Sequence, residues 1–195
     1  LEGSGHRFQT QSDTEVILEA YAEWGRSCVR RLRGMFAFAI WDSRAGALFL
    51  ARDRVGIKPL YYAWDGARFR FGSEIKAIVE DRSLETTLDY AALDDFLSYL
   101  YIPPPRTIFR EIRKLRPGHT LFVSRRGVSE EEYWDLDFEP RRDGSPDEWA
   151  AGLRKALADS VAHHLISDVP LGAFLSGGID SSAVVGLMAG LVTGP

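Results

Sequence analysis

The sequence predicts an α+β domain of antiparallel strands with helices at intervals over residues 1–137, a linker over 138–146, and the opening of an α/β domain over 147–195. Three observations predict this. Short apolar runs come in pairs around tight turns, of which Asp65-Gly66 and Arg126-Gly127 are the clearest. Helical periodicity begins at residues suited to cap a helix. Beyond residue 138 the order becomes helix, apolar run, Ser/Gly loop and helix, as in a nucleotide-binding α/β unit.

Ser12-Asp13-Thr14-Glu15 reads as a capping box, with Glu15 reaching back to Ser12. Val16, Ile17, Ala20, Tyr21 and Trp24 then keep helical spacing up to Gly25. Met35–Trp41 and Ala47–Ala51 flank a short turn and form the first hairpin. Leu60–Trp64 and Arg68–Phe71 form the second, and Thr120–Ser124 with Val128–Trp134 the last. Glu74–Val79 suits a short helix, and Asp89 caps another to about Leu100, which Pro103-Pro104-Pro105 cannot continue. In the second domain Ser145, Pro146 and Glu148 supply an N-cap, an N1 proline and a box partner. Trp149, Leu153, Leu157, Val161 and Leu165 give that helix one apolar face. Leu171–Leu175 is expected as a short buried strand, and Ser182–Leu191 as the helix after the loop.

The bulk properties exclude several classes. A net charge of −4 and scattered basic residues point to neither nucleic acid nor a membrane surface as partner. Arg30, Arg31 and Arg33 read as a solvated face. No apolar stretch approaches the ~20 residues that cross a bilayer, and Leu1–Thr10 does not read as a signal peptide. A single cysteine cannot form an internal disulfide, which fits a reducing cytoplasm. Leu1 in place of Met, and Pro195 directly after a helical pattern, lead us to expect a fragment.

The chemistry concentrates in Leu175-Ser176-Gly177-Gly178-Ile179-Asp180-Ser181-Ser182. Two glycines let the backbone turn and approach a ligand. The N–H groups at the start of the next helix then face an anion, and three serine hydroxyls add donors. Asp180 would repel phosphates unless a divalent cation lay between them, so the loop suggests a Mg²⁺–nucleotide. It lacks the lysine of a Walker A loop. The bland alternative is a Ser/Gly turn feeding a helix. The spelling itself resembles the pyrophosphate loop of ATP pyrophosphatases.

Asp168-Val169-Pro170-Leu171-Gly172 through Ser182 resembles the opening of the synthetase domain in glutamine-hydrolysing asparagine synthetases. Ser12–Ile17, Gly34-Met35-Phe36-Ala37-Phe38-Ala39, Arg52–Tyr61 and Ser73-Glu74-Ile75-Lys76-Ala77 resemble the class II glutaminase domain of the same enzymes, in the same order, so the likeness runs from about Phe8 to Met188. The resemblance implies an N-terminal-nucleophile fold, an α-β-β-α sandwich incomplete at its start, ahead of the ATP-pyrophosphatase domain. It implies glutamine hydrolysis, passage of ammonia through a tunnel, and ATP- and Mg²⁺-dependent activation of a carboxylate, aspartate in the commonest members, as an acyl-adenylate. It leaves a homodimer open. Asp13 matches the residue that holds the α-amino group of glutamine, and Met35 and Ile57 match tunnel positions. Leu175, Ser176, Gly177, Gly178, Asp180, Ser181 and Ser182 match the ATP and pyrophosphate site, with Asp180 toward the metal.

The departures matter as much. The family nucleophile is an N-terminal cysteine, expected before Leu1, so the 195 residues by themselves are expected to be inactive. Cys28 has no terminal amine or basic neighbour pattern and reads as structural. Asp13 equally suits the positive end of a helix dipole, and Met35 and Ile57 equally suit a core. Arg52 and Asp53 read as a buried ion pair holding the loop before Gly56. Glu74 has no assigned step, and His163 and His164 read as helix C-terminal cations rather than metal ligands. Two other readings stand beside an asparagine-forming ligase. One is a relative acting on another carboxylate, β-lactam synthetase-like or exopolysaccharide-linked, with which Leu97–Phe109 is compatible. The other is a non-catalytic binding module.

Overall fold

The computed structural model describes residues 1–139 and 144–191; the central part of the expected linker, residues 140–143, lies outside the described residues. The chain divides into two compact units, Leu1–Leu136 and Asp137–Pro195.

The first unit is a layered α+β structure. Strands β1 (Ala37–Asp42), β2 (Ala47–Arg52), β6 (His119–Ser124) and β7 (Gly127–Glu132) form one antiparallel sheet in the order β1-β2-β6-β7. Strands β3 (Tyr61–Trp64), β4 (Phe69–Gly72) and β5 (Ile112–Lys114) form the other, in the order β4-β3-β5. Strand side chains alternate faces, and three core clusters show where each face goes. Phe49 and Ala51 of β2 pack with Ala20, Cys28 and Val29 from helix α1 (Asp13–Trp24) and the 3₁₀ turn Gly25–Arg30 behind it. Leu50 points the other way and joins Leu121 with Tyr62 of the second sheet and with Leu60 and Leu115, which flank its strands β3 and β5. Ala63 and Ile112 pack outward on Ile78 of helix α2 (Ile75–Val79). The order is helix, sheet, sheet, helix, the four layers that the resemblance implies. Phe49, Leu50 and Leu121 are fully enclosed, and burying each contributes about 1.5–3 kcal/mol. Because β2 is covered on both faces, its sequence reads Ala-Leu-Phe-Leu-Ala without polar alternation.

Local signals set most element ends. Asp89 accepts from the Ala91 and Ala92 N–H groups and caps α3 (Tyr90–Tyr99). That helix stops at Leu100, in a left-handed conformation at φ 61°, before the prolines are reached. The hydroxyl of Ser12 accepts from Thr14 N–H, but the expected capping box does not close. The Glu15 carboxylate reaches further back, to the Gln9 and Thr10 N–H groups, both at 2.8 Å, because residues 9 and 10 present their donors at the start of the helix. Strand β5 had no counterpart in the sequence pattern.

In the second unit the capping box is complete. Ser145 Oγ accepts from Glu148 N–H, the Glu148 carboxylate accepts from Ser145 N–H, and Pro146 opens α4 (Pro146–His164). Helix α5 spans Ile179–Leu191. The strand expected over Leu171–Leu175 is not formed; these residues belong to no helix or ladder and are exposed. A strand needs neighbours to take its backbone hydrogen bonds, and among the described residues the second unit supplies none.

Candidate functional site

The expected site residues fall on two separate units. Asp13 is the first residue of α1, is exposed, and accepts a long hydrogen bond of 3.5 Å from the Thr14 hydroxyl. A carboxylate at a helix N-terminus complements the dipole and stays open to an ammonium group.

Met35 and Ile57 are 43% and 52% exposed, so neither packs as core. They stand on two backbone stretches organised by Arg52, Asp53 and Arg54. The expected Arg52–Asp53 ion pair is replaced by hydrogen bonds that Arg52 donates to backbone carbonyls and Asp53 accepts from backbone N–H groups. Arg52 donates to the carbonyls of Lys58, Leu115 and Gly56 at 2.8, 2.6 and 2.7 Å. Arg54 donates to the Leu32 carbonyl at 2.7 Å. The Asp53 carboxylate accepts from the N–H groups of Phe36, Ile57 and Lys58 at 3.3, 2.9 and 2.9 Å. A guanidinium has donors in a fixed fork and a carboxylate has several lone pairs, so each satisfies more backbone than it could by facing the other. Burial of the Arg52 guanidinium lowers its pKa, partly offset by the adjacent Asp53 charge. Gly56, at φ +70°, sits against Pro117 and the Arg52 guanidinium, where a Cβ would not fit.

The loop ahead of α5 has a local scaffold. Gly177 adopts φ +80° with open space where a side chain would stand. Ser176 Oγ lies 2.7 Å from Ser181 Oγ, and Gly178 N–H donates to Ser176 Oγ at 3.4 Å. Ser182 N–H is already engaged by the Gly178 carbonyl at 3.0 Å. Asp180 is exposed in the first helical turn, and Leu175 is 60% exposed at the entrance. The donor set suits a phosphate group, with hydroxyls and N–H groups for its oxygens. The one carboxylate suits Mg²⁺, a cation that keeps few protein ligands and takes the rest from phosphate and water. Among the described residues no group of three His, Cys, Asp or Glu side chains gathers as a metal cage.

The other candidates are engaged by local contacts. Cys28 is fully buried, and burial pushes its thiol pKa up, away from the thiolate a nucleophile needs. Glu74 pairs with Lys76 at 2.6 Å on the surface. His163 and His164 turn their Nδ1 atoms to the carbonyls of Asp159 and Ser160, one turn back in α4. Among the described residues no helix is long and apolar enough to cross a membrane. The sequence placed Asp53 at the loop around Gly56, but it did not signal that the same carboxylate also takes the N–H of Phe36, 17 residues earlier, because spacing along a chain does not reveal a distant donor.

The comparisons with known proteins follow the same division. Residues 1–134 match the glutamine amidotransferase domain model, and residues 152–195 match the asparagine synthase model. The chain is 43% identical over 194 residues to the Bacillus subtilis (strain 168) protein named asparagine synthetase [glutamine-hydrolyzing] 3, covering 97% of this chain and 31% of that protein. It is 40% identical over 185 residues to a putative asparagine synthetase [glutamine-hydrolyzing] 2 of Methanocaldococcus jannaschii, covering 92% and 36%. A Penicillium rubens protein named amidase chyE is 37% identical over 194 residues, covering 97% and 28%. The chain thus spans about a third of the length of the curated relatives it matches. It belongs to the glutamine amidotransferase domain family, in the form joined to the opening of an asparagine synthase domain.

Proposed function

We propose that the protein carrying this chain is a ligase that forms an amide on aspartate from ammonia released from glutamine, at the expense of ATP and through an acyl-adenylate. The observation that carries this reading is the presence, in one chain, of a match to a glutamine amidotransferase domain and a match to an asparagine synthase domain. The first unit handles glutamine, with Asp13 holding its α-amino group. Met35 and Ile57 line the way out for ammonia, as apolar walls suit a neutral molecule. In the second unit Ser176, Gly177, Gly178, Ser181 and Ser182 hold the phosphates, with Leu175 at the entrance. Asp180 would help hold Mg²⁺, which when bound would supply positive charge against the phosphates. The 195 residues alone do not hydrolyse glutamine in this reading, because their one thiol is enclosed. A cytoplasmic site of action belongs to the same reading. The name of the Penicillium relative favours a second reading, in which the same machinery serves a different acceptor.

The test uses the whole protein with two nitrogen sources. Asp13→Asn removes a charge-assisted contact worth about 1.5–3 kcal/mol. It should raise the KM for glutamine by roughly ten- to a hundredfold, while synthesis from free ammonia persists. Asp180→Ala should abolish most ATP–pyrophosphate exchange with either source. Equal loss of glutamine- and ammonia-dependent synthesis in Asp13→Asn would remove its role. Exchange driven by other carboxylates but not by aspartate would select the second reading.

A further inference from the structure

Among the described residues, Asp53 is the one charged side chain that is fully enclosed, at 1% exposure. An ion costs several kcal/mol to bury unless hydrogen bonds replace its water. Three N–H groups do so here, and they come from two stretches far apart in sequence. Phe36 and Lys58 both donate to Oδ2, at 3.3 and 2.9 Å, and Ile57 donates to Oδ1 at 2.9 Å. The main chain of Asp53 adds to the tie: its N–H donates to the Phe36 carbonyl at 2.8 Å, and its carbonyl accepts from Gly56 and Gly118. Each stretch carries an exposed apolar side chain beside a clamped amide, Met35 next to Phe36 and Ile57 itself.

We propose that Asp53 is a positioning residue for ammonia transfer, its one carboxylate fixing the separation of the two backbone stretches that present Met35 and Ile57. The inference rests on the reading of those two side chains as the passage wall. Its physical logic is that a wall lets a small neutral molecule through only if its facing side chains keep their spacing. Side chains anchored in a core hold their own spacing; exposed ones depend on the backbone beneath them. A neutral amide cannot do the same work. An asparagine offers one acceptor oxygen, and its NH₂ would face an N–H group, leaving at least one donor buried without a partner.

The experiment uses the whole protein with Asp53→Asn and two readouts. Hydrogen exchange at the Phe36, Ile57 and Lys58 amides should quicken about tenfold or more, with the centre of β2 unchanged. The amide formed per glutamate released should fall severalfold, while synthesis driven by free ammonia keeps its wild-type rate. Unchanged exchange at those amides overturns the clamp. Faster exchange with an unchanged product ratio overturns the role in transfer. Proportional loss of every activity together with Tm reduces Asp53 to a structural residue and also overturns the proposal. If Asp53→Asn does not fold, Asp53→Glu takes its place, since it keeps the charge and both acceptor oxygens but moves them by one methylene out of register with the Phe36, Ile57 and Lys58 N–H groups. Ile57→Trp tests the passage separately: a product ratio unmoved by that bulk removes the passage reading, and the proposal with it, whatever the exchange data show.

Discussion

Gly118 is where three parts of the first unit meet. Its N–H donates to the Asp53 carbonyl at 2.9 Å, and its own carbonyl accepts from Tyr133 and Trp134. It sits at φ +65°, and a Cβ built there would drive into the Trp134 carbonyl oxygen, a backbone atom that cannot swing aside. Gly66 also has a positive φ, +91°, but faces open space. The pair separates strain from collision. Gly66→Ala should cost about 1–2 kcal/mol through backbone conformation alone, whereas Gly118→Ala adds the clash and should cost about 4 kcal/mol or more. At roughly 2–4 °C per kcal/mol for a chain of this size, thermal melting of the two variants should differ by several degrees. Equal shifts would show that the 117–118 turn relaxes freely. Residues of this kind mark the limit of what the sequence discloses. Asp65-Gly66 declares its turn because both determinants are adjacent. Gly118 owes its role, and Asp53 the Phe36 part of its own, to partners many residues away, which no local pattern spells.

Helix α1 presents Glu19 and Glu23 four residues apart, on one face. His6 lies between them, with Nδ1 2.5 Å from Glu19 and Nε2 3.1 Å from Glu23, and so ties the start of the chain to the helix. Hydrogen bonds to Glu19 and then Glu23 raise the His6 pKa above its ordinary value of 6.5. A raised folded-state pKa means that protonated His6 stabilises the fold. That contribution is complete below the unfolded value and disappears as pH climbs through the raised one. Wild-type protein should therefore melt higher than His6→Gln at about pH 5.5, with the gap closing by about pH 9. A gap independent of pH would make His6 a packing residue and no more. The elements themselves were largely readable, since helix periodicity, the Asp89 and Ser145 caps and the tight hairpin turns are all local. Two features were not. Glu15 passes over Ser12 to reach Gln9 and Thr10, because the preceding segment folds back on the helix. Strand β5 has three residues and exists through its pairing with β3, a partner about fifty positions earlier.

At the scale of the whole molecule the two units differ in what they enclose. The first holds three apolar clusters, and its two sheets shield each other. Among the described residues of the second, Val161 alone is a buried hydrophobic, while Trp149, Leu153 and Ile179 are 54%, 69% and 88% exposed. This also explains the one element that the sequence promised and the fold withheld. Leu171–Leu175 has the composition of a buried strand, but a strand in a parallel sheet forms only beside its neighbours, which lie far apart in sequence. Helices of 19 and 13 residues with little tertiary cover are marginal in water. Stability should accordingly be uneven along the 195-residue chain. Hydrogen exchange followed by mass spectrometry should find peptides covering β2 and β6 protected about a hundredfold or more beyond those covering α4 and α5. The same α4 peptides should become strongly protected in a protein of the relatives' full length, because Leu153 and Trp149 line up on one face and gain stability only when something apolar covers them. Equal protection of both units in the 195-residue chain would mean that α4 and α5 hold together by capping and mutual contact alone, and that their exposed face is a surface rather than half of a core.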